Sequence, residues 1–458
     1  MSNINTKYGY ERISEILSVC PPHIRFLGIG GVGMYSLARL CIARGMRVSG
    51  YDRERGKYTE ILEGAGVNIS YEADYATASS ATLTVYSLAI DVYDREFVYA
   101  GSLGIPRVSR ADFLSYLIQD YKTSIAVSGT HGKSTVTAML HAIFSEAGKT
   151  PTTALGAPLS SGEPLSLGEN ELFIYESCEY RDSFLCMRPS AAVITNIEHD
   201  HPDYFEDEEA VVSSFLKCIN NARDIAILPL DDKNVRSVID RVSLPYVTYG
   251  ISSAAEYRYT IDAFLENGCS FSIFHGNVSY SYKIGLIGTY NVANAVCAAV
   301  TALEYGIESE LIKTALASFR APARRLEFIG RYKNRRVIYD YAHHPSEISA
   351  AIGALKSWYS EEVTVIFKPH TYTRTKAFWD GFVRSLSLAD YVILTDIYAA
   401  REEPIFDITS ERLAAEIGER AEYIADGEIL EALDKTEGSI ILMGAGDVSA
   451  IKRLILEE

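Results

Sequence analysis

Residues 124–148 read SIAVSGTHGKSTVTAMLHAIFSEAG, and this stretch decides the fold of the chain. The short apolar segment 124–127 predicts a buried strand, and apolar residues from Val136 onward recur at the spacing of one helix face. Between strand and helix lies a loop that contains Gly129 and Gly132. A strand, a glycine loop and a helix in this order predict an α/β sheet around the segment.

The loop also carries residues that suit phosphate binding. Its backbone N–H groups can cradle phosphate oxygens, Lys133 can reach terminal phosphates, and the Ser134 hydroxyl can ligate Mg²⁺. The spacing departs from the common phosphate-binding loop, since the first glycine stands only three positions before Gly132. A capped helix start would explain the glycines but not a lysine followed by a serine. We therefore predict nucleotide binding by Gly129, Thr130, His131, Gly132, Lys133 and Ser134.

Length and composition limit the classes of protein to which the chain can belong. The chain has 458 residues, which favours two or three domains, and 48% of them are hydrophobic, as in globular proteins. A net charge of −17 argues against nucleic acid or a membrane surface as a partner. The sequence shows neither a leader nor a membrane span, so we expect a cytoplasmic protein, monomeric or homodimeric. Seven scattered cysteines fit reduced thiols.

A second glycine-rich turn lies near the start of the chain. Gly28-Ile29-Gly30-Gly31-Val32-Gly33 follows a predicted strand and precedes a predicted helix, 34–43. The next strand, 47–51, ends at Asp52, 19 residues after Gly33, where a ribose-binding acid lies in dinucleotide folds. The turn alone fits a diphosphate site, a nicotinamide site or a plain turn. This βαβ pattern predicts a first domain over residues 1–122.

The rest of the chain repeats the strand–helix alternation twice. The stretch 257–284 alternates aromatic and polar residues, which predicts antiparallel strands beside the central sheet, and 291–303 predicts a helix. Ala321-Pro322-Ala323 marks a boundary, after which strands and helices alternate again. We predict an α/β fold of three domains: a Rossmann-like domain at 1–122, a P-loop-type sheet at 123–320 and a Rossmann-like domain at 321–458.

Polar clusters follow several predicted strands. Glu176 and His201 each come after a strand downstream of the loop, and with Ser134 they form a candidate Mg²⁺ site. Asp340-Tyr341-Ala342-His343-His344 and the segment 368–374 follow two later strands. Because strand ends in α/β sheets converge on one crevice, these clusters are candidates for ligand binding.

In combination these motifs resemble the Mur ligase family. The blocks GIGGVGM, SGTHGKS, TNIEHDHPDYF, PARRLEF, DYAHHPSE, FKPHTYTRT, DIYAARE and MGAGDV resemble successive blocks of that family, in the same order, from about His23 to Ile451. The resemblance implies an ATP-dependent ligase of peptidoglycan synthesis. In that reaction ATP phosphorylates the lactyl carboxylate of UDP-N-acetylmuramate, and the amine of L-alanine displaces the phosphate from the acyl phosphate.

The resemblance also implies roles for single residues. Lys133 would hold the β- and γ-phosphates; Ser134, Glu176 and His201 would organise magnesium; Arg324 would reach the phosphates and Asp340 the ATP ribose. Asn291 and Asn294 match the adenine-contacting segment. The expected catalytic residues are Lys133, Glu176, His201, Arg324 and His343. The expected amino-acid site comprises Tyr341, His343, His370 and Arg374. The expected uridine diphosphate site comprises Gly30, Gly31, Val32, Gly33, Asp52, Ser87 and Arg110.

Some positions depart from the family pattern. Ser134 stands where threonine is common, Cys178 replaces an acid, and Tyr180-Arg181 replace small polar residues. Lys217 lies where some relatives carry a carbamylated lysine, and we expect it to be an ordinary surface lysine. Three alternatives stay open: a family member that adds another amino acid or a recycled tripeptide, a non-catalytic nucleotide-binding regulator, and a nicotinamide-dependent dehydrogenase.

Overall fold

The structure is a computed structural model that describes residues 8–159, 161–265, 268–400, 402–425, 428–446 and 448–456. The described chain packs as two compact units. The first comprises the residues up to Ile197 together with Val212–Thr248 and Val300–Glu308. The second comprises Glu198–Val211, Tyr249–Ala299 and the residues from Ser309 onward.

The N-terminal part of the first unit is a parallel sheet in the order β3-β2-β1-β4-β5. Because strand order reverses at β1, the glycine turn after β1 lies at the switch point where such sheets bind ligands. The predicted βαβ unit is confirmed. The strands are β1 (His23–Leu27), β2 (Arg47–Tyr51), β3 (Asn68–Ser70), β4 (Leu83–Tyr86) and β5 (Arg107–Ser109). The helices are α1 (Tyr10–Ile16), α2 (Val32–Ala43), α3 (Lys57–Gly64), α4 (Tyr75–Ser79), α5 (Arg95–Ser102) and α6 (Arg110–Ile118).

The next strands of this unit lie side by side in the order β11-β10-β6-β9-β7-β8, parallel except that β8 is antiparallel to β7. Val127 of β6 pairs with Val193 on one side and Glu176 on the other, so three strands end at one edge. The strands are β6 (Thr123–Ser128), β7 (Pro151–Ala154), β8 (Leu165–Ser166), β9 (Glu169–Glu176), β10 (Ala191–Ile194) and β11 (Ile225–Pro229). The helices are α7 (Lys133–Glu146), α8 (Glu208–Asn220) and α9 (Lys233–Val238), with 3-10 turns at Tyr180–Cys186 and Ile239–Arg241.

The predicted antiparallel strands are confirmed in the second unit. There β13 (Tyr257–Leu265), β14 (Gly268–His275) and β15 (Val278–Ile284) pair antiparallel in chain order. They follow β12 (Tyr246–Gly250) and precede the helices α10 (Thr289–Glu304) and α11 (Ser309–Ser318). The predicted helix over 291–303 thus lies inside α10.

The C-terminal sheet of the second unit has the order β16-β17-β21-β18-β19-β20, with only β16 antiparallel to its neighbour. Successive residues Val365 and Ile366 belong to different apolar clusters, so both faces of the sheet are covered. The strands are β16 (Glu327–Tyr332), β17 (Arg335–Asp340), β18 (Val363–Phe367), β19 (Tyr391–Leu394), β20 (Ala421–Tyr423) and β21 (Ser439–Met443). The helices are α12 (Pro345–Tyr359), α13 (Tyr372–Ala377), α14 (Trp379–Leu386), α15 (Ser410–Ile417), α16 (Ile429–Leu433) and α17 (Ser449–Leu456).

The predicted α/β class is confirmed, since the structure contains three sheets with helices between their parallel strands. The order of these sheets along the chain is the predicted one. Among the described residues, the helices are all too short or too polar to cross a membrane.

Candidate active site

The loop at residues 129–132 takes a conformation that requires its glycines. Gly129 has a φ of +141°, and a Cβ atom there would lie 2.0 Å from Thr195 Oγ1. Gly132 has a φ of +83° and is the N-cap of α7, which starts at Lys133. The predicted strand, loop and helix are therefore confirmed, with helix N–H groups at the loop's end.

Side chains that follow β10 hold this loop in place. Thr195 Oγ1 donates a hydrogen bond of 2.5 Å to the carbonyl of His131. Asn196 binds His131 twice: its Oδ1 accepts from the backbone N–H at 2.9 Å, and its Nδ2 donates to the carbonyl at 3.0 Å. Thr130 N–H donates to the Asn196 carbonyl. The polar residues after β10 thus shape the loop, a role that their position in the sequence did not reveal.

Lys133 folds back onto its own loop. Its ammonium donates to the carbonyls of Gly129 and Thr130 and lies 3.0 and 3.1 Å from the two carboxylate oxygens of Glu179. Burial by itself lowers the pKa of Lys133, but the carboxylates of Glu179 and Glu176 more than offset this, and its pKa is raised. Lys133 is therefore a fixed positive charge at neutral pH.

Two of the three predicted magnesium ligands, Glu176 and Ser134, lie in the first unit. Glu176 ends β9, beside β6, and its Oε1 accepts the Gly156 N–H at 2.9 Å. Ser134 is buried in the first turn of α7. A carboxylate and a hydroxyl oxygen are ligands that Mg²⁺ takes, so the donor set of these residues fits the ion.

The glycine turn after β1 is built around Asp52. The N–H groups of Gly28 and Ile29 donate to the Tyr51 carbonyl, and Asp52 Oδ2 accepts the Gly30 N–H at 2.7 Å. Gly31 is the N-cap of α2, so the helix N-terminus faces the turn. Asp52, expected to bind a ribose, also fixes the shape of the turn.

Ser87 and Arg110 complete this cluster. A Cβ atom on Gly33 would lie 3.0 Å from Arg110 Nη1, and one on Gly28 would lie 3.6 Å from the Ser87 Cβ. The structure thus brings all the residues expected at the uridine diphosphate site to one edge of the N-terminal sheet: Gly30, Gly31, Val32, Gly33, Asp52, Ser87 and Arg110.

In the second unit, His201 and Arg374 meet at a buried carboxylate. Asp200 Oδ1 accepts the His201 N–H at 2.6 Å and lies 2.8 Å from Arg374 Nη1. Burial by itself raises the pKa of Asp200, but Arg374, His201 and His344 hold it well below its ordinary value. The backbone of His201 is left-handed, with a φ of +56°. Asp200 therefore stays ionised and joins the predicted metal ligand to the predicted amino-acid site.

The other residues of the expected amino-acid site lie near one another. The rings of Tyr341 and His343 are 5.2 Å apart, those of His343 and His370 are 6.2 Å apart, and His370 stacks on Tyr398 at 5.6 Å. Burial lowers the pKa of His343, and burial with His343 and Arg374 lowers that of His370 to about 4. In the part of the chain that the structure describes, His370 Nδ1 is a buried nitrogen with no hydrogen-bond partner.

Asp340 and Arg324 are tied to the start of the C-terminal sheet. The Asp340 carboxylate accepts the N–H groups of Leu326 and Ala342, both at 2.7 Å. Burial raises the pKa of Asp340 to about 6, although Arg325 and the two N–H donors act in the opposite direction. The Arg324 guanidinium lies 4.6 Å from the centre of the Tyr341 ring. In this conformation Asp340 thus holds the loop that carries Arg324.

The asparagines expected near adenine lie in the first two turns of α10. Asn291 and Asn294 are buried, and Asn291 Nδ2 donates to the Ile287 carbonyl at 2.7 Å. Gly288 has a φ of +97°, and a Cβ atom there would lie 2.7 Å from the Tyr290 ring. Tyr290 is half-buried, and its removal from solvent together with Asp340 raises its pKa well above the ordinary value.

The expected site residues therefore fall in two groups. The glycine turn, the loop and Glu176 are in the first unit, while His201, Asn291, Asn294, Arg324, Asp340, Tyr341, His343, His370 and Arg374 are in the second. The residues not assigned from sequence are Thr195, Asn196, Glu179 and Asp200. Their polarity after strands was the available signal. Lys217 is exposed, as expected of a surface lysine.

Comparison with known families accounts for this arrangement. Family models match residues 23–122 (Mur ligase family, catalytic domain), 127–302 (Mur ligase middle domain) and 324–446 (Mur ligase, glutamate ligase domain). The three matches follow the order of the three sheets. The chain belongs to the Mur ligase family.

Several of its relatives within that family share one name. The chain is 37% identical to the UDP-N-acetylmuramate–L-alanine ligase of Acetivibrio thermocellus, covering 97% of this chain and 98% of the relative. It is 37% identical to the ligase of that name from Aquifex aeolicus, covering 93% and 95%. The crystal structure of the UDP-N-acetylmuramate–alanine ligase of Thermotoga maritima matches with a TM-score of 0.80 at 25% identity, covering 95% and 98%.

Proposed function

We propose that this protein joins L-alanine to the lactyl carboxylate of UDP-N-acetylmuramate with consumption of ATP, a step of peptidoglycan precursor synthesis. One observation carries the proposal. A complete phosphate-binding loop and a complete glycine turn each stand at a sheet edge, in a chain matched over its length by relatives of that activity. Both anionic substrates then have a local site despite the net charge of −17.

In the first step a lactyl carboxylate oxygen attacks the γ-phosphorus of ATP, giving the acyl phosphate and ADP. This step brings anions together, so fixed positive charge must offset their repulsion. Lys133 supplies such a charge at the loop, and Arg324 supplies a second one. The N–H groups at the start of α7, those of Gly132, Lys133 and Ser134, hold phosphate oxygens, while those of Thr130 and His131 donate to Asn196 and shape the loop. Asn291 and Asn294 bind the adenine, and Asp340 binds the ribose.

In the second step the L-alanine nitrogen attacks the acyl carbon, and a tetrahedral intermediate collapses to the amide and inorganic phosphate. The ammonium of L-alanine must lose one proton before its nitrogen can attack, and it loses a second proton as the amide forms. His343 and His370 are neutral in the fold, so each can accept a hydrogen bond from the amine. Arg374 and Tyr341 complete the proposed amino-acid site.

Magnesium is the metal that the family's ATP chemistry implies. Ser134, Glu176 and His201 are the residues that would hold it; the hydroxyl of Ser134 and the carboxylate of Glu176 supply the oxygen donors that suit the ion, and His201 would supply a ring nitrogen. When bound, Mg²⁺ neutralises part of the charge on the phosphates. The chain's own contribution is to fix Ser134 on a helix start and Glu176 through the Gly156 N–H.

Each of the three proposed domains binds one substrate. We assign UDP-N-acetylmuramate to a domain at 1–122, ATP to one at 123–320, and the amino acid to one at 321–458. The limits of the three family matches support these boundaries. Because the co-substrate is ATP, we propose that the protein acts in the cytoplasm.

ADP release by the purified protein tests the proposal. The protein is supplied with ATP, Mg²⁺ and UDP-N-acetylmuramate, and L-alanine, glycine, L-serine or the recycled tripeptide is added separately. We expect ADP release with L-alanine far above that with the others. Preferred turnover of the tripeptide would make the protein a recycling ligase, and no release with any of them would refute ligase activity. Fluorescence titration with nicotinamide cofactors checks the dehydrogenase alternative, which predicts binding.

A further inference from the structure

The anion that Lys133 contacts in this structure belongs to the protein itself. Glu179 is 2% exposed, and its two carboxylate oxygens lie 3.1 and 3.0 Å from Lys133 Nζ. The other acceptors of the ammonium are the carbonyls of Gly129 and Thr130. A lysine has three N–H donors, so these acceptors use its full capacity. A phosphate oxygen that binds Lys133 must therefore replace one of them.

Glu179 is held in this position by its own turn. Asp182 N–H donates to the Glu179 carbonyl at 3.0 Å, and the Asp182 carboxylate accepts from the Ser214 hydroxyl on α8. Arg181 and Asp182 have φ values of +51° and +57°, a conformation that costs non-glycine residues free energy. This anchored turn fixes the backbone from which the Glu179 carboxylate reaches Lys133.

We propose that Glu179 is a positioning residue that stands in for the terminal phosphates of the nucleotide. Its carboxylate binds the Lys133 ammonium before ATP binds. The phosphates of ATP then replace the carboxylate, and the ion pair forms again when ADP leaves. This inference rests on the proposed function, because it assumes that ATP binds at the loop. It assigns to the second acid of Glu176-Ser177-Cys178-Glu179 a role separate from that of Glu176.

The proposal makes a prediction about nucleotides of different length. Glu179→Gln keeps the size of the side chain but replaces a charged acceptor with a neutral one, which binds an ammonium more weakly. ATP and ADP, whose β- or γ-phosphates compete for Lys133, should then bind about fivefold more tightly, given the usual difference between charged and neutral hydrogen bonds. AMP lacks those phosphates, so its affinity should not change.

Calorimetric titration of the full chain with ATP, ADP and AMP measures these affinities. Glu171→Gln is the matched control, since Glu171 is an exposed acid on β9 and forms an ion pair with Lys122. We expect this control to bind all three nucleotides as the wild type does. Thermal melting checks that each variant is folded. Should Glu179→Gln not fold, Glu179→Asp, which withdraws the carboxylate by one methylene, should tighten ATP binding by a smaller factor.

The outcomes separate the inference from the function. Unchanged or weaker ATP binding by a folded Glu179→Gln protein would overturn the role of Glu179 while leaving the ligase intact. Equal changes for AMP and ATP would show a general effect on the loop and would overturn it as well. Absence of ATP binding by the wild type would refute the nucleotide site and this inference together.

Discussion

Gly129→Ala tests whether the loop depends on the close approach of β10. An alanine Cβ at this position would lie 2.0 Å from Thr195 Oγ1, and 3.0 and 3.1 Å from the carbonyl oxygen and nitrogen of Asn196. Thr195 cannot retreat without loss, because its hydroxyl donates to the His131 carbonyl. The substitution must therefore move the backbone of the loop or break the hydrogen bonds that shape it.

The expected cost has three parts. Overpacking in a tight site costs about 1–3 kcal/mol. A lost hydrogen bond costs about 1 kcal/mol, and a non-glycine residue in a glycine conformation costs about 1 kcal/mol. Gly148→Ala is the matched control: Gly148 has a φ of +70°, but a Cβ atom there would have nothing within 4 Å. The control carries the cost of a left-handed backbone without a clash, so the excess for Gly129→Ala contains the steric and hydrogen-bond parts, about 2–4 kcal/mol, together with any added cost of its φ of +141°.

Thermal melting and ATP titration of both variants measure these effects. One kcal/mol shifts the melting temperature of a domain of this size by about 2–4 °C. We expect Gly148→Ala to melt about 2–4 °C below the wild type with normal ATP affinity. Gly129→Ala should melt about 4–16 °C lower still and bind ATP at least about tenfold more weakly. Equal melting shifts for the two variants, with equal ATP affinity, would refute the steric argument.

Three further changes probe other parts of the site. Lys133→Ala should abolish ADP formation while the protein stays folded by circular dichroism, and near-normal turnover would contradict its assignment to the phosphates. Arg374→Gln leaves the buried Asp200 carboxylate without its cation and should lower the unfolding free energy by about 3–5 kcal/mol. Urea denaturation measures this loss, which the added Asp200→Asn change should partly restore. Burial, with His343 and Arg374, lowers the pKa of His370 to about 4 in the folded protein. Between about pH 6.5 and pH 4 the His370 side chain therefore binds a proton in the unfolded chain but not in the folded protein. Wild-type stability should therefore fall as pH drops through that window, and His370→Gln should show a smaller drop in melting temperature from pH 6.5 to 4.5; equal drops would contradict the assignment.

Local patterns predicted the elements that carry the site. The strand before Gly129 and the helix after Gly132 could be read directly from apolar spacing, because a helix or strand repeats its buried face at a fixed period. The glycine turn before α2 was predicted for the same reason. Spacing pointed to Asp52 and the family resemblance added Arg110, and the structure places both at that turn.

The partners of those residues were not readable from the sequence. Nothing in the spacing of Glu179 indicates that it contacts Lys133, and nothing near Arg374 indicates Asp200. In the same way, Asp340 was expected to face a ribose, but in this structure its carboxylate accepts two N–H groups of its own chain. An acidic residue in the sequence shows that a carboxylate is present, but it does not show which donor forms a hydrogen bond with that carboxylate.

The sequence by itself thus determined the alternation of strands and helices, the two glycine loops and the chemistry of the residues at their ends. The tertiary structure alone decided which charges meet. Strand register brings Glu176 beside Val127, the residues after β10 shape the loop, and α13 carries Arg374 to Asp200. The physical reason is that sequence periodicity is local: it shows which face of its own helix or strand each residue lies on. Contacts between elements depend on register and packing, which the whole fold sets together.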